Sequence, residues 1–163
     1  MNAYQEAVLG PPGWPVRRRE PDEWPAEQDL ILKRARRGGL AWTRPIERRD
    51  LLDSPWRAFN NALDGRQLQR WALDDPAQAG RLLGSLWVEW NGWRRCRLSL
   101  FLDPALSDPD GRQALLLHAL SALDLPHYRL RVETTANDPP VEAILQAGGF
   151  HVTRELVQMW RDL

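Results

Sequence analysis

Two carboxylates stand where a proton could be taken from an amine. Glu89 lies in the apolar run Leu82–Trp90 and Glu133 near the end of Tyr128–Thr134; a general base needs only such a group within hydrogen-bond reach of the proton it removes. Each also reads as ordinary solvated charge: a tight hairpin would set Glu89 against Arg94, and Glu133 follows Arg131 by two residues. Cys96 is the single cysteine, which excludes an intramolecular disulfide, suits a reducing compartment, and reads as a small buried hydrophobe rather than a nucleophile. His118 sits on an otherwise apolar helix, while His127 and His151 border strands. None has a companion at metal-ligand or triad spacing, so no metal is expected, and no nucleotide-phosphate motif is present.

The elements that must hold these groups can be read from periodicity. Tyr128–Thr134 alternates large and charged residues, as a strand with one buried face does. A helix should follow at once, with Asp138 as N-cap, Pro139 at the first position, Val141, Ile144 and Leu145 as the apolar stripe, and Gly148-Gly149 as the stop. From Phe150 extended chain is expected again. Upstream, Leu82–Trp90 and Trp93–Leu102 flank Asn91-Gly92, a two-residue loop that favours a type I′ hairpin. That loop pairs Trp90 with Trp93, Val88 with Arg95, Leu86 with Arg97 and, on the other face, Glu89 with Arg94 and Trp87 with Cys96. Asp108-Pro109 opens a helix to about Leu123 that is apolar over most of its circumference, hence buried against a sheet. Pro25–Arg37 reads as a helix with acids first and bases last. Leu40–Pro45 and Leu68–Leu73 read as strands, with a mainly helical Leu51–Leu63 between them, although Pro55 limits where that helix can start.

The strand, helix, strand order over the last quarter, with Asn137 at the strand mouth and Gly149-Phe150 after the helix, resembles the C-terminal half of GCN5-related N-acetyltransferase (GNAT) domains. LAWTRPIERRDL, from Leu40, is similar to their first strand and following turn, so the resemblance spans roughly residues 40–163. It implies a splayed gap between the fourth and fifth strands, with the pantetheine arm of acetyl-CoA beside Leu100 and Leu102. It also implies a pyrophosphate held on backbone N–H groups at the start of the next helix, within Ser107–Ala114, by Gly111, Arg112, Gln113 and Ala114. Asn137 lies near a family asparagine that contacts the cofactor. The sequence departs from the pattern at three points. Arg112 stands where a glycine is expected, Asp108 and Asp110 place carboxylates where the pyrophosphate would sit, and Leu145 replaces the tyrosine that protonates the leaving thiolate.

At 163 residues with 43% apolar content the chain suits one substantial domain. The expected fold class is α/β (α+β): a mixed, mostly antiparallel, centrally splayed sheet flanked by helices. Residues 1–39 are expected as an N-terminal extended arm and helix, and residues 40–163 as the GNAT-like acyltransferase domain. The 22 basic and 22 acidic residues cancel, which gives no global pull on nucleic acid or anionic membrane. A local basic stretch, Lys33–Arg49, is largely a helix C-terminus, where such charge belongs on stability grounds. With no signal design and no long apolar run, a cytoplasmic location is expected. Two functions are open on these residues. One is an acyl-CoA-dependent N-acyltransferase, using acetyl-CoA or another acyl-CoA on a small-molecule amine or a protein amino group. The other is a non-catalytic GNAT-fold module, holding a partner domain or its own copy as a homodimer through the N-terminal arm or a Trp/Arg face built from Trp90, Trp93, Arg95 and Arg97.

Overall fold

The computed structural model describes residues 14–34, 46–91, 95–122, 129–134 and 138–153. Its elements are β1 (Val16–Arg18), a 3-10 turn (Pro21–Glu23), α1 (Trp24–Gln28) continued by π-helical turns over Asp29–Arg34, α2 (Arg48–Leu51) and α3 (Pro55–Leu63). There follow β2 (Arg66–Asp74), β3 (Leu82–Asn91), β4 (Arg95–Leu102), α4 (Pro109–Ala122), β5 (Arg129–Glu133) and α5 (Pro139–Ala147). The five strands form one sheet in sequence order. Neighbours are antiparallel except β4 and β5, which run parallel, a pairing that requires the α4 crossover.

Alternation along the strands divides the core in two. Trp71, Leu73, Leu86, Val88, Leu98, Leu100 and Leu102 face α4 and Val141 of α5. Trp87 and Phe101 face the other way and pack with Ile31 and Leu51. Each fully buried Leu or Ile contributes about 1.5–3 kcal/mol. Gly84 allows α4 its close approach, because a Cβ there would lie 2.6 Å from Leu115 Cδ1 and 3.0 Å from Leu102 Cδ2.

Two expectations are corrected. The sheet begins at Val16–Arg18, inside the expected arm, and Arg17 fastens that strand by donating from Nε to Asp74 at 2.7 Å and from Nη2 to Glu23 at 2.5 Å. Leu40–Pro45, the expected first strand, lies outside the described residues. The mainly helical Leu51–Leu63 is α3, which starts at Pro55 while Ser54 stays extended, because the ring of Pro55 bars the residue before it from the helical region; α2 ends at Leu51.

The β3–β4 register is the second correction. Trp90 faces Cys96, Val88 faces Leu98, Leu86 faces Leu100 and Glu89 faces Arg97, a slip of three from a two-residue turn. An odd slip exchanges faces. The tight turn would have set Leu86 against Arg97 and Val88 against Arg95, burying guanidiniums under α4 without partners, whereas the longer loop aligns leucines with leucines. One consequence is that Trp90 packs against the α4-side core while Arg97 lies on the opposite face, so the expected Trp90/Arg95/Arg97 surface does not assemble; Trp93 is outside the described residues.

Candidate functional site

The residues expected to receive a pyrophosphate lie at the start of α4, and the protein's own side chains occupy that place. Asp108 turns its carboxylate onto the helix end, where Oδ1 accepts from the Asp110 N–H at 3.2 Å and Oδ2 from Trp14 Nε1 at 3.1 Å. The Trp14 ring lies on Gly111: a Cβ on that glycine would come within 2.7 and 2.8 Å of ring atoms and 3.0 Å of Leu106 Cδ1. The space that glycine would leave for a phosphate is therefore filled by indole. Arg112 is turned away, donating to both oxygens of Asp138 through Nε (3.0 and 3.1 Å) and Nη2, and to the Leu106 carbonyl at 2.6 Å. Asp138 stands at the N-cap of α5 but makes no cap hydrogen bond; its carboxylate serves Arg112 instead. Ala114, Leu100 and Leu102 are core residues, Gln113 is half-buried, and Asn137 lies outside the described residues.

The β4–β5 ladder ends at Ser99↔Glu133, while Leu100–Leu102 of β4 run on without a β5 partner. Here the register brings both candidate bases to one sheet face, on either side of Arg97. Glu89 is its β3 neighbour, and Glu133 accepts from Arg97 Nη2 at 2.5 Å with Arg131 Nη2 3.3 Å away. The Ser99 hydroxyl, in a residue 4% exposed, has no hydrogen-bond partner among the described residues, and neither has the Thr134 hydroxyl. Cys96 is buried and desolvation pushes its thiol up to about 11. His118 packs edge-on against Trp71 at 4.6 Å, and burial lowers its pKa. Among the described residues no group of three or more His, Cys, Asp or Glu could hold a metal.

A second polar centre escapes sequence reasoning. Glu27, 0% exposed, accepts from Ser85 Oγ at 2.6 Å and Trp87 Nε1 at 2.7 Å, and its other oxygen is 3.0 Å from Arg19 Nε. Arg19 and Arg70 share Asp53, each at 2.6 Å, and both donate to the Leu51 carbonyl. Sequence position offers Glu27 only as a first-turn acid on a helix; the one available signal is that Leu30 and Ile31, three and four residues on, share its helix face. Beside this centre, between α3 and β2, opens a cleft of about 820 Å³.

No protein-family model matches the sequence, and no curated protein matches it. Solved structures do. The chain is similar to a GNAT-family acetyltransferase from Staphylococcus aureus Mu50, at a TM-score of 0.58 and 15% identity over 93% of this chain and 94% of that one. An acetyltransferase from Thermus thermophilus follows at 0.51 and 20%, over 85% and 86%. An aminoglycoside N-acetyltransferase in complex with CoA matches at 0.50 and 12%, over 94% and 99%. Among the described residues no helix is long and apolar enough to cross a membrane. The strand order, its one parallel pair and these likenesses together give the chain the fold of the GCN5-related N-acetyltransferase superfamily.

Proposed function

We propose that this chain is a divergent offshoot of the acyl-CoA-dependent N-acyltransferases that holds a partner rather than a cofactor. The single observation behind this reading is the closed start of α4. A pyrophosphate arriving there meets the Trp14 ring on Gly111 and the carboxylates of Asp108 and Asp110, while the nearby guanidinium of Arg112 is already committed to Asp138. Anion seats at helix ends work through exposed N–H groups and the absence of competing negative charge, and neither condition holds. The residues present do not fit the phosphates of acetyl-CoA.

The second reading, acyl transfer from acetyl-CoA or another acyl-CoA to a small-molecule amine or protein amino group, draws support from a different place. The ladder's last pair, Ser99↔Glu133, sets a Ser99 hydroxyl that has no partner among the described residues beside a carboxylate. Glu133 would have to exchange a guanidinium for the amine before it could accept a proton.

Titration with acetyl-CoA while following the melting temperature separates the two, since a ligand of the native state must stabilise it, by about 2.7 kcal/mol at a hundredfold excess over Kd. The expected result is no shift at millimolar cofactor. A saturable rise would overturn the binding-module reading and establish the second.

A further inference from the structure

We propose that the open edge of β2 accepts an extended acidic segment of another protein as an added strand. β1 pairs only with Trp71–Leu73 of β2 and then turns away into Pro21–Glu23. The β2 strand, however, begins at Arg66, so Arg66–Arg70 runs past the end of its neighbour. The Arg19 N–H donates to the Arg70 carbonyl at 3.1 Å, which shows that Arg70 aims its main-chain groups at this edge. In an antiparallel ladder the aim alternates, so Leu68 and Arg66 present their N–H and C=O groups the same way. Among the described residues no backbone group meets them there.

A long bare edge is a template for strand pairing, and proteins ordinarily cover one. Among the described residues it is here left as the wall of a cleft. α3 stands opposite, about 820 Å³ of space lies between, and Ala58 and Ala62 face the strand across it. The uncovered stretch, Arg66–Gln69, is four residues, about 14 Å of extended chain, enough for a short peptide to lie in line with β1.

The charge of the lining selects the occupant. Arg18, Arg19, Arg66, Arg70 and Asp53 line it, but Arg18 sets its guanidinium over the Trp71 ring on the α4 side and Arg19 and Arg70 are buried, so the cation that meets an occupant is Arg66. Asp53 is spent on Arg19 and Arg70, while Arg66 is exposed and has no ion pair among the described residues. Register then gives a pattern. Residues directly opposite share a face, so the peptide residue across from Leu68 meets Leu68 and the alanines of α3 and should be apolar. Two positions later in an antiparallel peptide comes the residue across from Arg66, which should be Asp or Glu. Main-chain bonds supply affinity and the alternate side chains supply selectivity, as in strand addition generally.

The test is fluorescence anisotropy with a capped, labelled peptide of alternating Thr and Val that carries Glu two positions after its central Val. Saturable binding is expected, weakened about tenfold when the central Val is N-methylated, because that methyl removes the N–H offered to the Leu68 carbonyl and blocks close approach. Arg66→Glu should reverse the preference, favouring the same peptide with Lys in place of Glu by at least about fivefold. Absence of saturation at millimolar Glu peptide overturns the proposal. So does equal binding of the N-methylated peptide, or an unchanged preference in Arg66→Glu. If light scattering shows a dimer of the free chain that Arg66→Glu dissociates, the edge belongs to a second copy and the proposal fails in that form. No cofactor enters this experiment, so its outcome is independent of the acetyl-CoA titration.

Discussion

Arg112 carries the chemical question in a single side chain, because a guanidinium beside a helix end is either a hand for phosphate or half of an ion pair. Its tridentate hold on Asp138, whose carboxylate is 1% exposed, makes it the second. Removing one member of such a pair strands the other charge in low dielectric, so Asp138→Ala should cost about 3 kcal/mol in urea unfolding. If Arg112 instead served a free anion site, Asp138→Ala would leave stability nearly unchanged. Cys96 gives a second residue-scale expectation. With its thiol near 11 and its sulfur buried, thiolate is scarce at neutral pH, and a disulfide reagent should label the folded protein at least about tenfold more slowly than the unfolded one. His118 sets a pH dependence of definite sign. Its folded pKa is lowered by burial from the ordinary 6.5, so its contribution is complete above 6.5 and is lost as pH falls through the folded value, where the unfolded chain binds the proton first. Melting curves from pH 8 to 5 should therefore decline more steeply than those of His118→Gln. The burial of Cys96 and His118 could be read from the apolar residues around them. The Arg112–Asp138 pair could not, since charge is visible in a sequence but the partner of a charge twenty-six residues away is a matter of folding.

At the scale of elements, the sequence was most legible where one periodicity and one terminator agreed. The helix at Pro109 and the helix from Pro139 to the glycine pair lie where the pattern puts them. The hairpin shows the limit. Asn91-Gly92 names a favourable turn, yet the strands ignore it and slip by three, because aligning Leu98, Leu100 and Leu102 with Val88, Leu86 and Gly84 outweighs turn preference. The start of the sheet was misread for a related reason: Val16–Arg18 is too short and too charged to look like a strand, and it is held by Arg17 reaching Asp74 and Glu23 rather than by apolar alternation. Tight packing of α4 on the slipped hairpin has a testable consequence at Gly84. A methyl group placed 2.6 Å from Leu115 and 3.0 Å from Leu102 must displace buried side chains, so Gly84→Ala should destabilise by about 1–3 kcal/mol. A neutral result would mean that α4 rides higher on the sheet than described.

For the molecule as a whole, Trp14 joins the start of the described chain to the start of α4, and the question is whether it is a removable cover or one piece of a seat rebuilt throughout. Its ring lies over Gly111 and its indole reaches one carboxylate oxygen, so Trp14→Ala removes the overlap with an incoming phosphate in one step. Beneath it, however, the Asp108 carboxylate still engages the helix end, Asp110 still adds its charge, and Arg112 still points to Asp138. Electrostatics at a helix terminus act within the first turn, and all three groups lie inside it or against it. Trp14→Ala should therefore lower the melting temperature by a few degrees, at roughly 2–4 °C per kcal/mol for a chain of this size, and still show no rise with millimolar acetyl-CoA. A rise that appears only in Trp14→Ala would make the indole a gate over a working cofactor seat and return the chain to the acyltransferases. A rise that needs Asp108→Asn and Asp110→Asn as well would show that repulsion, not coverage, closed the site. In either of those outcomes the sheet would be unchanged and the difference between enzyme and binding module would reside in a single turn of helix.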